Sequence, residues 1–172
     1  MRHMTFTVLS ATAAIVISAC GSNKSPSVTT KSDSPTTSTQ SSPAALEKAA
    51  REAISKDHAL LINTLWTNRI PANPPATAGP ALALLRRSVG ERQKQGVRVR
   101  MLSDHFRVLS LQLEPTYTTA TATVLDTPRV QPTHLNGQPL GSASSTSQRV
   151  RVELRRVGNT TSFVVWKTTL IK

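Results

Sequence analysis

Asp57, His58, Asp104, His105, Tyr117, Asp126 and His134 are the side chains of this 172-residue chain that could serve as general acids or bases. Such chemistry needs two or more of them to converge within hydrogen-bond reach, with pKa values tuned by burial. Each also has a plainer setting. Asp57 and His58 fall among charged neighbours in a helical stretch, which places them on a solvated face. Asp104 and His105 lie where one strand pattern gives way to the next, and Asp there commonly shapes a turn. His134 precedes Asn136-Gly137 in a polar hairpin, Tyr117 opens a strand after Pro115, and Asp126 closes that strand before Pro128. With Trp166, Tyr117 and Asp126 are the candidates for a pocket mouth, since functional residues concentrate at strand ends and loops. No catalytic residue is assigned.

Metal and cofactor chemistry find no local pattern. The histidines lie far apart, with neither HExxH nor Cys-paired zinc spacing. The glycines are isolated, which excludes a phosphate loop or a dinucleotide fingerprint, and no Gly-x-Ser-x-Gly elbow gives the serines a nucleophile's setting. No metal and no cofactor are expected.

Charge is more informative. The chain has 21 Lys+Arg against 9 Asp+Glu, a formal charge of +12. That excess favours anionic surfaces in general, lipid headgroups, wall polymers and nucleic acid among them, without choosing between them. Aromatic residues make up only 3%, too few for the stacking platforms that hold single-stranded nucleic acid, so a nucleic-acid partner is not expected. Arg98, Arg100, Arg149, Arg151 and Arg155 alternate with apolar residues, so they project from the outer side of a sheet. They either solubilise that face or hold an anionic surface.

Cys20 is the only cysteine, so no disulfide can form within the chain and the domain depends on an apolar core. It follows a basic start at Arg2, an apolar run from Phe6 to Ile17 and small residues at Ser18 and Ala19, the grammar of a secretory signal. The run is shorter than the ~20 apolar residues that span a bilayer. The tetrapeptide Ile17-Ser18-Ala19-Cys20 resembles the lipobox of bacterial lipoproteins. That resemblance implies removal of residues 1–19, a diacylglyceryl thioether on Cys20 with further acylation (palmitate), and a protein anchored to the cell membrane from outside the cytoplasm. Two or more acyl chains make such attachment stable. Residues 21–43, rich in Ser, Thr and Pro, cannot bury enough surface to offset ordering entropy and are expected to form a disordered tether. As a flexible coil the tether reaches roughly 26 Å.

Residues 44–172 are expected to form one α+β domain. Ser42 and Pro43 start a helix through Trp66, with Leu46, Ala50, Ala53, Ile54, Leu61 and Leu65 on its apolar face. "IPANPPATAGP" breaks the chain, and a second helix runs from Ala81 to about Gln95, stopped by Gly96. From Val97 the period becomes two: "VRVRM", then "RVLSLQL" with Leu109, Leu111 and Leu113 on one side. "YTTATATVLD" and "RVRVELRRV" follow, and "SFVVWKTTLI" presents Val164, Trp166 and Leu170 to one face. Asn136-Gly137 and Gly158-Asn159 mark hairpin turns. Helices followed by a strand meander predict helices in the concave face of a curved, mostly antiparallel sheet of four to five strands.

The succession of "VRVRM", "VLSLQLEP" and "YTTATATVLD", closed by "ELRRVGNTTSFVVWKTTLI", resembles the nuclear-transport-factor-two-like (SnoaL-like) cone fold over residues 44–172. The resemblance implies a cone whose pocket, in enzymes of that fold, holds an Asp, His or Tyr. The expected role is a non-catalytic binding or assembly module of the cell envelope. The alternatives are an accessory subunit of a secretion, conjugation or lipid-import complex, and a small-molecule enzyme using the pocket. Partners would be the membrane through the anchor and an anionic lipid, wall polymer or envelope protein. Because the arginines oppose pairing through the open sheet face, a monomer is expected.

Overall fold

The computed structural model describes residues 41–171. The expected signal segment, Cys20 and nearly all of the expected tether lie outside the described residues. The element order is α1 (Pro43–Thr67), α2 (Gly79–Gln95), β1 (Val97–Ser103), β2 (Phe106–Leu113), β3 (Thr119–Asp126), β4 (Arg129–His134), β5 (Ser144–Ser145), β6 (Gln148–Arg156) and β7 (Phe163–Ile171). This is an α+β, cone-like architecture. The strands form two antiparallel sheets, β1-β4-β5 and β2-β3-β6-β7, where the sequence pattern predicts one. The added strands, β4 and β5, come from the polar connection between Thr127 and Ser147, whose composition hides a strand interrupted by Pro132.

α1 starts as its sequence dictates. Ser42 Oγ accepts from the Ala45 N–H at 3.2 Å and Pro43 occupies the first turn, where its missing N–H costs nothing. The helix ends at Asn68, which adopts φ 52 and returns its N–H to Thr64 O, a polar residue accepting the left-handed cap usually given to glycine. α2 ends on Gly96 at φ 66. On α1 the Glu47–Arg51 pair forms at 2.9 Å, one helical turn apart as the spacing requires.

The core lies between α1 and the inner face of the four-stranded sheet. Leu46, Ala50, Ala53 and Ile54 meet Ala120, Ala122 and Val124 of β3, Val152 and Leu154 of β6, and Phe163 and Val165 of β7. Small alanines on β3 admit the helix closely; larger residues on β6 and β7 supply the apolar area. Full burial of a Leu or Val side chain is favourable by about 1.5–3 kcal/mol.

The described surface departs from the sequence reading at three points. On α1 the buried row continues through Leu60 and Thr64, while Leu61 is exposed. On β2 the pairing slips between Val108 and Ser110. This irregularity shifts the alternation by one residue, so Val108, Leu111 and Leu113 pack on the core and Leu109 is 44% exposed. On β7 a second irregularity lies opposite Glu153 and Leu154. Before it Phe163 and Val165 face the core in place of Val164 and Trp166; beyond it Leu170 pairs with Val150 on the core side but is exposed near the strand's end.

Candidate functional site

α1, the β1–β2 link and the end of β3 bring His58, Asp104 and Asp126 together. One ligating atom from each lies within 4.8 Å of the other two. His58 Nε2 and Asp104 Oδ2 share a hydrogen bond of 2.5 Å, and the imidazole stacks on Phe106 with centroids 3.9 Å apart and planes 18° from parallel. Asp104 sits at the joint between the two sheets, because β1 belongs to one and β2 to the other. Asp126 pairs with Phe106 on one side and Gln148 on the other.

Asp126 follows from the pleat of β3. The strand buries every second residue, Ala120, Ala122, Val124 and then Asp126, so the same alternation that fills the core drives a carboxylate inward. It is only 8% exposed. Burial first, and then the facing Asp104 carboxyl, raise its pKa above the ordinary carboxylate value, with His58 and Gln148 partly offsetting them. Asp104 Oδ1 and Asp126 Oδ1 are both buried without a hydrogen-bond partner. Two ionised carboxylates have no donor to offer each other, so a proton or a cation between them is what the geometry calls for.

Asp57, one position before His58, accepts from the buried Thr77 hydroxyl. Burial raises its pKa, the Thr77 bond and His58 opposing the shift. The tie fastens α1 to the segment before α2, where Thr77 bridges Val165 of β7. The solvated face expected for Asp57 and His58 is therefore corrected: both lie on the row that follows Ala53 and Ile54 by one turn, facing the sheet.

The remaining candidates are dispersed. Tyr117 belongs to the turn between β2 and β3 rather than to a strand. It has φ 54, donates its N–H to Glu114 O at 2.8 Å and packs against the core. Asp126 closes the opposite end of β3, about 24 Å along an extended strand of that length. Trp166 lies at the β7 irregularity, its ring against Gly79 and beneath the Arg155 guanidinium at 4.0 Å. Tyr117, Asp126 and Trp166 thus do not share a pocket. His105 and His134 are exposed.

The five arginines also divide. Arg98 and Arg100 are on β1 of the smaller sheet, where Arg98 lies 5.7 Å from the Trp66 ring centre. Arg149, Arg151 and Arg155 are exposed on β6. Register places Arg107 and Arg149 on either side of Leu125, and Arg151 beside Thr123. Directly paired residues share a face, so Arg107 joins the outer row, an addition that the bulge in β2 hid from the sequence. Among the described residues Arg107, Arg149 and Arg151 make no ion pair, whereas Lys167 pairs with Glu153 at 3.4 Å. A groove of about 400 Å³ on this face is lined by Ser110, Gln112, Glu114, Thr121, Arg151 and Glu153, among others. A groove of about 550 Å³ follows the exposed face of α1. Neither includes His58, Asp104 or Asp126.

Among the described residues no helix is long and apolar enough to cross a membrane. No family model matches the chain, and no curated protein matches it. Its structure is similar to the crystal structure of the intermembrane space region of the chloroplast protein ARC6. The two share 14% identity at a TM-score of 0.60, over 73% of this chain and 95% of that one. Two structures from Catenulispora acidiphila, one in complex with S-DNPA, match at 16% and 17% identity with TM-scores of 0.41. They cover 74% of this chain and 91% and 92% of theirs. The ARC6 likeness is one of fold.

Proposed function

We propose that the chain is a membrane-anchored lipoprotein of the cell envelope, lipidated at Cys20, whose cone-type domain is a non-catalytic module that binds an anionic surface through the outer face of its four-stranded sheet. One observation carries this reading. The inner face is filled by α1, which leaves the outer face for recognition, and there Arg107, Arg149 and Arg151 stand exposed without acidic partners among the described residues. Close to a membrane each such charge adds about 1 kcal/mol of attraction to an anionic leaflet, and the attraction is screened by salt.

The test uses residues 20–172, the mature chain on this reading, carrying Cys20→Ser so that neither the apolar leader nor an acyl chain contributes, in co-sedimentation with phosphatidylglycerol-containing vesicles. Binding is expected at low ionic strength, falling as salt rises and falling at least tenfold in Arg149→Glu/Arg151→Glu. Equal binding to zwitterionic vesicles, or no effect of the double variant, contradicts the proposal. Capture of an envelope protein dependent on the same arginines would favour the accessory-subunit alternative.

A further inference from the structure

Three ligand-type side chains converge from residues 58, 104 and 126, at separations that no local motif encodes. His58 and Asp104 are already in contact at 2.5 Å, and all three donor atoms fall within 4.8 Å of one another. An acidic cluster alone would mean little. Here, however, Asp126 is more than nine-tenths buried, and its Oδ1 has no partner, nor has Asp104 Oδ1 beside it. Burying a carboxylate oxygen without a donor is costly unless a positive group completes the site.

We propose that His58, Asp104 and Asp126 form a site for a divalent transition-metal cation, with zinc as the ion that fits best. One imidazole nitrogen and two carboxylate oxygens suit zinc at about 2.0–2.2 Å, with water completing a tetrahedron. Two ligands at that range stand about 3.4 Å apart in a tetrahedron, so rotamer-scale adjustments from the observed spacing suffice. The hydrogen bond between His58 and Asp104 opens, and its proton leaves as both groups ligate. The surroundings already orient the ligands, as supporting residues do around metal centres: Phe106 fixes the plane of the imidazole and Gln148 flanks Asp126. The bound ion would fasten α1, the joint between the two sheets and β3 at a single point.

The experiment is isothermal titration of zinc into the chelator-treated full chain carrying Cys20→Ser, which removes the competing thiol, with thermal unfolding as a second readout. One zinc per chain is expected, together with a rise in Tm of about 4 °C or more at saturating metal. Asp126→Asn keeps the shape of the side chain and should weaken binding at least tenfold; His58→Gln provides the same test should that variant fail to fold. His134→Gln, which changes an exposed histidine, should leave the titration unchanged. No heat and no shift in Tm up to 1 mM zinc, or a loss of less than tenfold in the folded Asp126 and His58 variants, overturns the proposal.

Discussion

The imidazole of His58 lies flat on the ring of Phe106, 3.9 Å between centroids, and this stack aims Nε2 at Asp104. A helix residue and a strand residue thereby fix the hydrogen-bond partner of a third group at the sheet joint. Replacing His58 by Ala leaves Asp104 Oδ2 without its partner, as Oδ1 already is. Urea unfolding at neutral pH should show a loss of about 1–3 kcal/mol, the cost of an orphaned buried acceptor.

Asp126 and Asp57 hold their protons more tightly in the folded chain, chiefly through burial. The unfolded chain releases them near pH 4. The folded state therefore binds more protons between that pH and the raised folded values, and the stability these groups contribute at low pH is lost as pH rises through that window. In metal-free protein Tm should decline across it. Asp126→Asn and Asp57→Asn should each flatten the decline, since an amide oxygen still accepts from Thr77 without carrying charge. Parallel pH profiles for wild type and both variants would show that neither group titrates differently on folding.

Gly79 opens α2 at φ 53, and a Cβ there would lie 2.6 Å from the Trp166 ring. Gly79→Ala combines overpacking with a left-handed backbone that costs a side chain about 1–2 kcal/mol. A loss of about 2–4 kcal/mol is expected in denaturant unfolding, with altered Trp fluorescence. A variant as stable as the wild type would show that α2 does not seat on Trp166.

Asn68 caps α1 and joins three elements. Its amide donates to Val97 O at 2.6 Å and accepts from Arg92 Nε at 3.0 Å, while Gln93 donates to its carbonyl at 2.8 Å. Asn68→Gly keeps the left-handed backbone and removes the side-chain bonds; Asn68→Ala removes both. Thermal or urea unfolding should rank Ala below Gly, and Gly below wild type by about 1–3 kcal/mol. Equal stability of the two variants would separate the cap from its conformation.

Much of the fold was legible because it rests on local rules. Ser42-Pro43 and Gly96 bound helices through capping, and the Ala120, Ala122, Val124 alternation specifies a strand with one buried face. The bulges at Val108–Ser110 and opposite Glu153–Leu154 were not legible, since their register depends on the neighbouring strand. The first turns Leu109 outward and brings Arg107 into the outer row; the second takes Val164 and Trp166 off the core face, whereas Leu170 pairs with Val150 on the core side and is exposed only near the end of an edge strand. The His58–Asp104–Asp126 cluster spans three elements, so no spacing could reveal it. Two signals were nevertheless present: Asp126 keeps the parity of the core residues before it, and Asp57-His58 follow Ala53-Ile54 at one helical turn. A charged group in phase with an apolar face marks a buried site.

The sharpest measurement is amide and arginine side-chain chemical-shift mapping of isotopically labelled residues 20–172 carrying Cys20→Ser, free of leader and acyl chains, against anionic lipid bicelles. The account predicts the largest perturbations on the outer rows of β2, β3 and β6, at Arg107, Thr123, Arg149 and Arg151, disappearing at high salt. Perturbations confined to β1, α2 or the exposed face of α1, or none at any ionic strength, would contradict it.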